Sequence, residues 1–252
     1  MNDFIKKYLR RINFNGQPKA DLETLFALHR QHLYSIPFEN MDIHLKRKII
    51  LDGKLLEQKL IDNRRGGFCY ELNGLFYLLL KKIGFDVKMI SACVYNSAGI
   101  AGPDFDHMAL IVKLENQWLA DIGFGDNFLK PLQMVVDKTQ KDFYGYFQII
   151  RLDDTHLKLQ WSEDGNKFED QYLFTLQERN LADFNNMCNY HQTSTESHFT
   201  QKKVCTIATK NGRITLSDNN LTFTENGQKI KKDIKSELEF KRYLVKYFEI
   251  HI

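Results

Sequence analysis

The chain has 252 residues, of which 43% are hydrophobic and 27% charged, and its formal net charge at pH 7 is +3. These values are typical of a soluble globular protein that is long enough to bury a full core. A net charge of +3 is small for this length, so it gives no general affinity for nucleic acid, and we expect no nucleic-acid partner.

The N-terminal sequence and the cysteine pattern indicate the cellular compartment of the protein. The chain begins Met-Asn-Asp-Phe-Ile-Lys-Lys without an apolar run, so we expect no signal peptide. No window approaches 18 uninterrupted apolar residues, so we expect no membrane span and no membrane partner. The four cysteines form no C-x-x-C pair, which argues against a bound metal and favours free thiols. The sequence therefore predicts a cytoplasmic protein.

Residues 1–84 have a helical pattern. Apolar residues recur at helical spacing from Leu22 to Leu33, and Pro37 ends that helix. A second helix is predicted over residues 69–83, because apolar residues recur from Leu72 to Leu79 and Gly84 follows a basic last turn.

The pattern changes to strands at about residue 85 and becomes mixed after about residue 176. The predicted strands of the central region are Val87 to Tyr95, His107 to Leu114, Trp118 to Ile122, Tyr144 to Leu152, His156 to Trp161 and Phe168 to Phe174. The last region is predicted to contain a helix at Leu181 to Tyr190, strands at Val204 to Ala208, Arg213 to Leu216 and Leu221 to Thr224, and a helix from Asp233 to about Phe248. We therefore expect an α+β fold with three domains, at residues 1–84, 85–176 and 177–252.

Cys69 follows two glycines and opens the second predicted helix. At a helix N-terminus, unpaired N–H groups and the positive end of the helix dipole favour thiolate over thiol, which lowers the pKa of a cysteine. This position predicts a nucleophile, although a lone cysteine that packs as a small apolar side chain is the alternative.

His107 and Asp121 lie on a predicted β-hairpin. Its two apolar runs flank the polar tripeptide Glu115-Asn116-Gln117, which places both residues at the end away from the turn. If Leu114 to Asn116 form a three-residue loop, Asp121 opposes Ala109 and stands diagonal to His107 on the same face. A two-residue loop puts the two residues on opposite faces unless a bulge intervenes.

Cys69, His107 and Asp121 fit one mechanism. A cysteine nucleophile needs an imidazole to take its proton, and the imidazole needs a carboxylate to fix its tautomer and balance its charge. Glu39 and Arg65 are charged residues flanked by apolar residues or glycines, so we expect an ion pair between them that ties two loops together. Two solvated charges that never meet are the alternative.

Four segments closely resemble the arylamine N-acetyltransferase family. They are Ile36-Pro37-Phe38-Glu39-Asn40, Arg65-Gly66-Gly67-Phe68-Cys69, the His107 strand and Asp121-Ile122-Gly123-Phe124-Gly125, in matching order and spacing. Residues 191–199 are similar to the family's Ser-Pro-x-Ser-x-Phe region, with Thr195 in place of the proline, which puts a local turn in doubt.

The resemblance implies an architecture of an N-terminal helical bundle, a central antiparallel barrel-like β domain and a C-terminal α/β lid. A helix-borne cysteine followed by a sheet-borne histidine and acid is also the chain order of papain-like folds.

The resemblance further implies ping-pong acyl transfer. Cys69 accepts an acetyl group from acetyl-coenzyme A, and the thioester passes it to an aromatic amine, hydrazine or hydroxylamine. His107 is then general base and acid, and Asp121 orients it. Acetyl-coenzyme A is a co-substrate, and no permanently bound cofactor is implied.

The same resemblance carries over four substrate-binding positions. Phe124 and Gly125 match positions that line the acyl pocket, and Phe38 and Phe199 match positions that pack on the acceptor. Ordinary core packing is the alternative for Phe38 and Phe199, since the chain has nineteen phenylalanines.

Two other functions stay open. A papain-like or transglutaminase-like thiol hydrolase or amide synthase uses the same trio, but the Phe124-Gly125 pattern and Phe199 favour a transferase that keeps water from its thioester. A non-catalytic protein that binds coenzyme A or an aromatic ligand is the other alternative. The sequence predicts neither the natural acceptor nor the oligomeric state.

Overall fold

The structure is a computed structural model that describes residues 2–252. Its N-terminal part is helical, as predicted. The side chains of Asn2 and Asp21 cap the first two helices by accepting backbone N–H groups. The helices are α1 (Asp3–Arg11), α2 (Leu22–Ser35), α3 (Met41–His44), α4 (Gly53–Glu57), a π-helical turn at Gln58–Asp62, and α5 (Cys69–Ile83).

Helix α5 has the bounds that the sequence predicts. It ends at Gly84, whose φ of +108° is a left-handed conformation that glycine adopts without strain. Its apolar face, from Leu72 to Leu79, is fully buried against the central sheet. This packing fixes the position of Cys69 at the first residue of the helix.

The central part is an eight-stranded antiparallel sheet in the order β5-β4-β3-β2-β9-β8-β7-β6. Its strands are β2 (Asp86–Val94), β3 (His107–Lys113), β4 (Gln117–Ala120), β5 (Leu132–Gln133), β6 (Gln140–Asp142), β7 (Gly145–Arg151), β8 (His156–Ser162) and β9 (Glu169–Thr175).

The two edges of this sheet meet, which makes it barrel-like. The side-chain amide of Gln140 on β6 accepts from the Gln133 N–H of β5 and donates to the Gln133 carbonyl, both at 2.9 Å. Strand β3 is buried on both faces: Met108, Leu110 and Val112 pack with the helices, whereas Ala109 and Ile111 face the barrel core. The predicted barrel-like domain is confirmed.

A second, five-stranded antiparallel sheet has the order β1-β10-β11-β12-β13. Its strands are β1 (Phe38–Glu39), β10 (Val204–Thr209), β11 (Gly212–Ser217), β12 (Asn220–Glu225) and β13 (Gln228–Asp233). The helices of this part are a 3-10 turn (Leu181–Phe184), α6 (Asn185–Thr193), α7 (His198–Gln201) and α8 (Glu237–Phe248).

Two details of this last part differ from the prediction. Residues 228–233 form an exposed edge strand, β13, which lacks the apolar alternation that signals a strand. The last helix begins at Glu237 instead of Asp233, because the Ser236 side chain caps it by accepting the Glu239 N–H.

Strand β1 also joins the N-terminal region to this sheet, with Phe38 opposite Thr206. The three domain boundaries stay a prediction.

No helix of residues 2–252 combines the length and the apolar character that a membrane crossing requires.

Candidate active site

Cys69 lies where the N-terminus of α5 meets the beginning of β3. Its side chain is buried, and the Met108 backbone N–H donates a hydrogen bond to its sulfur. Three glycines allow the loops to approach this point. A Cβ on Gly66 would lie 2.1 Å from the Pro37 carbonyl oxygen, and one on Gly123 would lie 2.8 Å from the Cys69 Cα. A Cβ on Gly67 would lie 2.7 Å from the Glu71 Oε2 atom. A side chain at any of these positions would therefore require its neighbours to shift, and at Gly123 the neighbour is the Cys69 backbone itself.

The pKa of Cys69 does not follow the sequence-based prediction. Burial raises the pKa of the Cys69 thiol well above its ordinary value, and Asp106 and Asp121 raise it further. The Met108 N–H acts in the opposite direction but does not offset burial. The prediction of a lowered pKa is therefore wrong. Ionisation of Cys69 depends on transfer of its proton to His107, because an imidazolium nearby stabilises the thiolate.

The hairpin has the three-residue loop that places His107 and Asp121 together. Lys113 pairs with Gln117 across residues 114–116, and Leu110 pairs with Ala120, so Asp121 follows β4 in register with Ala109. The His107 Nε2 atom lies 2.8 Å from Asp121 Oδ2. Because that nitrogen is occupied by the carboxylate, Nδ1 is the imidazole nitrogen left for the thiol.

Asp121 is a buried carboxylate whose two oxygens both accept hydrogen bonds. Oδ1 accepts from Asn73 Nδ2 at 2.9 Å and from the Gly123 N–H at 3.0 Å. Oδ2 accepts from His107, from the Tyr172 hydroxyl at 3.2 Å and from Asn127 Nδ2 at 3.4 Å. Burial alone would raise the pKa of Asp121, but the electrostatic attraction and the hydrogen bond of His107 lower it below its ordinary value, together with the hydrogen bonds from Asn73 and the Gly123 N–H. Asp121 is therefore held as an anion that can balance an imidazolium.

Sequence reasoning missed three residues that support Asp121. Asn73 lies four positions after Cys69, on the same face of α5, and the available signal in the sequence was a polar amide in an otherwise apolar stretch of that helix. Tyr172 comes from β9, two strands away from His107, and no local pattern identifies it. His29 accepts the Asp121 N–H at 3.2 Å and contacts the Leu129 carbonyl at 3.0 Å, and burial lowers its pKa to about 4. His29 is therefore neutral at pH 7.

The expected ion pair between Glu39 and Arg65 is present and belongs to a larger buried network. Arg65 Nη2 lies 2.7 Å from Glu39 Oε1, and Arg65 Nη1 lies 3.1 Å from Asp42. Lys59 bridges Asp42 at 2.8 Å and Glu71 at 2.7 Å. Glu71 in turn accepts the Phe68 N–H at 3.2 Å, one residue before Cys69. The network therefore ties the β1 loop to the loop that presents the thiol.

A cleft of about 190 Å³ lies beside the trio. Phe38, Phe124 and Gly125 line it, together with Asp126, Val204, Thr206, Arg213 and Thr215. The Phe124 ring stands edge-on to His107 at 5.3 Å between centroids. A Cβ on Gly125 would lie 3.8 Å from the Phe38 ring, and its φ of +101° also favours glycine. The structure thus brings three of the four predicted substrate-binding residues to one cleft.

Phe199, the fourth, stands behind the cleft wall. Its ring packs on Phe38 at 6.0 Å and on Phe68 at 5.7 Å between centroids. The turn that precedes it forms without the family's proline, since the Ser197 N–H donates to the Ser194 carbonyl at 3.2 Å. The replacement by Thr195 therefore preserves this turn.

Comparisons with known proteins identify the family. Residues 21–252 match the N-acetyltransferase family model. The arylamine N-acetyltransferase of Escherichia coli (strain K12) is 34% identical over 237 residues, which cover 92% of this chain and 83% of that protein.

Solved structures are similar over nearly the whole chain. The arylamine N-acetyltransferase of Salmonella typhimurium has a TM-score of 0.92 and 30% identity, covering 98% of this chain and 91% of that one. The enzyme of Bacillus cereus, described with a unique Cys-His-Glu catalytic triad, has a TM-score of 0.92 and 26% identity and covers both chains fully. In the present chain the carboxylate bonded to the histidine is an aspartate, Asp121. The chain therefore belongs to the arylamine N-acetyltransferase family of acyltransferases.

Proposed function

We propose that the protein transfers an acetyl group from acetyl-coenzyme A, through a thioester on Cys69, to the nitrogen of an arylamine, arylhydrazine or arylhydroxylamine. The 2.8 Å contact between His107 Nε2 and Asp121 Oδ2 carries this proposal. It fixes the imidazole tautomer and leaves one nitrogen to exchange a proton with the thiol.

The chemistry follows from the trio. His107 takes the Cys69 proton, the thiolate attacks the thioester carbonyl of acetyl-coenzyme A, and the C–S bond to coenzyme A breaks as His107 returns the proton to the leaving thiolate. An amine then attacks the new thioester. His107 accepts a proton from the amine, and Cys69 leaves as the thiolate or thiol. Asp121 balances the imidazolium charge that forms in each half.

The surroundings of Cys69 suit transfer better than hydrolysis. The thiol is buried, and Phe124 packs on the imidazole. An apolar wall at this position favours an aromatic acceptor and limits the entry of water, which would consume the thioester.

Initial-rate kinetics test the order of events. With acetyl-coenzyme A varied at several fixed concentrations of an aniline, reciprocal plots should give parallel lines, because coenzyme A leaves before the amine reacts. Intersecting lines would instead show direct transfer in a ternary complex. A coenzyme A release rate that does not depend on amine would favour a thiol hydrolase that uses the same trio.

A further inference from the structure

His191 on α6 and Asp106, the residue before His107, form a second imidazole–carboxylate pair beside the trio. The His191 side chain is buried, and its Nε2 atom lies 3.2 Å from Asp106 Oδ1. On the other side of the ring, Nδ1 lies 3.0 Å from the Ser197 hydroxyl oxygen. Among residues 2–252, Asp106 is the one carboxylate within 4.0 Å of His191, and the mechanism described above uses neither side chain.

The contact between His191 and Asp106 depends on charge. Nε2 is buried and has no aligned hydrogen-bond partner among residues 2–252, so its approach to the carboxylate is electrostatic. The rings of Phe199 and Tyr190 stand edge-on to the imidazole, at 5.1 and 5.6 Å between centroids, and supply no carboxylate. Of the protonation states of a histidine, the imidazolium alone directs an N–H group toward both Asp106 and Ser197.

The loop between β2 and β3 holds Asp106 close to the thiol. Phe105, the residue before it, has a φ of +63°, a left-handed conformation that is uncommon for residues other than glycine. The Tyr70 hydroxyl donates to the Phe105 carbonyl at 2.7 Å and to the Asp106 carbonyl at 3.1 Å. The Tyr70 ring also stacks on His191 at 6.1 Å between centroids. Because Tyr70 directly follows Cys69, this loop and α6 are both fixed relative to the nucleophile.

Asp106 opposes the ionisation of Cys69. After burial, it is the largest influence that raises the pKa of the Cys69 thiol. Two other titratable side chains near His191 stay uncharged, because burial raises the pKa of Tyr70 and raises that of Cys188, one turn earlier on α6, to about 12. Within residues 2–252, His191 is the one basic side chain within 4.0 Å of Asp106. It is therefore the group placed to offset this carboxylate.

We propose that His191 is a positioning residue that acts on Cys69 through Asp106: as an imidazolium it neutralises the Asp106 carboxylate and so lowers the electrostatic cost of forming the thiolate. This inference rests on the part of the proposed function that makes Cys69 the nucleophile. Imidazole side chains in general lose their proton between about pH 5 and 8, so the compensation is present in mild acid and is lost as the pH rises.

The test is a double-mutant cycle on the alkylation of Cys69. The rate constant with iodoacetamide at pH 6 is measured by peptide mapping for the unaltered protein, His191→Gln, Asp106→Asn and the double variant. His191→Gln should lower the rate about 3-fold to 10-fold, the size expected for one partly exposed like charge beside a thiolate. Asp106→Asn should not lower it. In the Asp106→Asn background, His191→Gln should have no further effect, because no carboxylate is left to neutralise.

A matched control and a second variant complete the cycle. His156→Gln is the control, because His156 also lies against an aspartate, Asp153, at 2.8 Å, but both of these side chains are exposed. This variant should be alkylated at Cys69 as fast as the unaltered protein. If His191→Gln does not fold, His191→Phe keeps an aromatic ring on Tyr70 without the charge and should show the same loss.

Several results would overturn the inference. One is an unchanged rate in a folded His191 variant, and another is an equal loss with and without Asp106→Asn, which a purely structural role predicts. A loss at pH 8.5 as large as the loss at pH 6 would also overturn it. A protein that shows the expected cycle but forms no acetyl-enzyme with acetyl-coenzyme A would support the inference and overturn the proposed function.

Discussion

Replacement of Asp121 by asparagine tests how the trio is held. An amide in this position has one oxygen and one NH2 group, whereas the carboxylate accepts five hydrogen bonds through two oxygens. If the NH2 group replaces Oδ2, it faces the donors of His107, Tyr172 and Asn127. If it replaces Oδ1, it faces those of Asn73 and Gly123. In either orientation at least two buried donors lose their acceptor.

These losses set the expected magnitudes. At roughly 1–3 kcal/mol for each buried donor left unpaired, the loss of two acceptors in Asp121→Asn should lower the free energy of unfolding by about 2–6 kcal/mol. The amide also cannot balance an imidazolium, and the same substitution in a serine-protease triad lowers kcat by about 10⁴-fold. We expect a loss of that order in both half-reactions, because His107 carries a proton in each.

The assay separates the effect on chemistry from the effect on folding. Acetyl-enzyme formation is followed by stopped flow at a temperature where urea titration shows the variant to be folded. Asp137→Asn is the control, since Asp137 is an exposed carboxylate that does not line the cleft. Near-native rates for a folded Asp121→Asn enzyme would refute the assignment of Asp121 as the residue that orients His107.

The pH dependence of this stability difference has a definite sign. The pKa of Asp121 in the folded protein is below its ordinary value, so its contribution is complete above about pH 4 and is lost as the pH falls through the folded pKa. The gap in unfolding free energy between the unaltered protein and Asp121→Asn should therefore narrow in acid below about pH 4. A gap that widened in acid would contradict the lowered pKa.

Further predictions concern Cys69 and the buried residues around it. Cys69→Ser should reduce turnover, measured as coenzyme A release, by several orders of magnitude, whereas the control Cys93→Ser should keep near-native rates. More than about a tenth of the unaltered activity in Cys69→Ser would exclude Cys69 as the nucleophile. Because burial raises the pKa of Cys69, its alkylation by iodoacetamide at pH 6 should be lost in His107→Gln, and equal labelling with and without the imidazole would contradict this dependence. Burial keeps His29 neutral in the folded protein down to about pH 4, whereas the unfolded chain binds a proton there from about pH 6.5, so the free energy of unfolding should fall by on the order of 3 kcal/mol between pH 6.5 and pH 4. His29→Gln should remove that part of the pH dependence of the unfolding free energy, measured by urea titration. An unchanged pH dependence would refute a buried neutral His29. Phe124→Ala should change acceptor selectivity more than the acylation rate, compared across an aniline panel; a larger loss in acylation would contradict its role as an acceptor wall.

The elements that support the trio could be predicted from the sequence because their signals are local. Helical spacing and Gly84 define α5, and two apolar runs around a polar tripeptide define the hairpin that carries His107 and Asp121. The sequence leaves a three-residue and a two-residue loop open, and only the structure decides for the three-residue loop. The ion pair of Glu39 and Arg65 could also be predicted, because both charges lie in apolar or glycine-rich surroundings.

The features that could not be predicted depend on the tertiary structure. Tyr172 reaches Asp121 from a strand 51 positions later, and the Gln140 side chain that joins the two edges of the barrel has no local signal in the sequence. The pKa of Cys69 was predicted in the wrong direction, because a helix terminus is visible in the sequence whereas full burial is not. The edge strand β13 has no buried face and hence no apolar pattern.

The central claim is that Cys69 carries the acetyl group between donor and acceptor. The most direct measurement is the intact mass of the protein after mixing with acetyl-coenzyme A and no amine, followed by peptide mapping. We predict a gain of one acetyl group, located on the peptide that contains Cys69 and removed when an aniline is added. An unchanged mass under conditions where the enzyme acetylates the aniline, or an acetyl group located on Cys93, Cys188 or Cys205, would contradict the account.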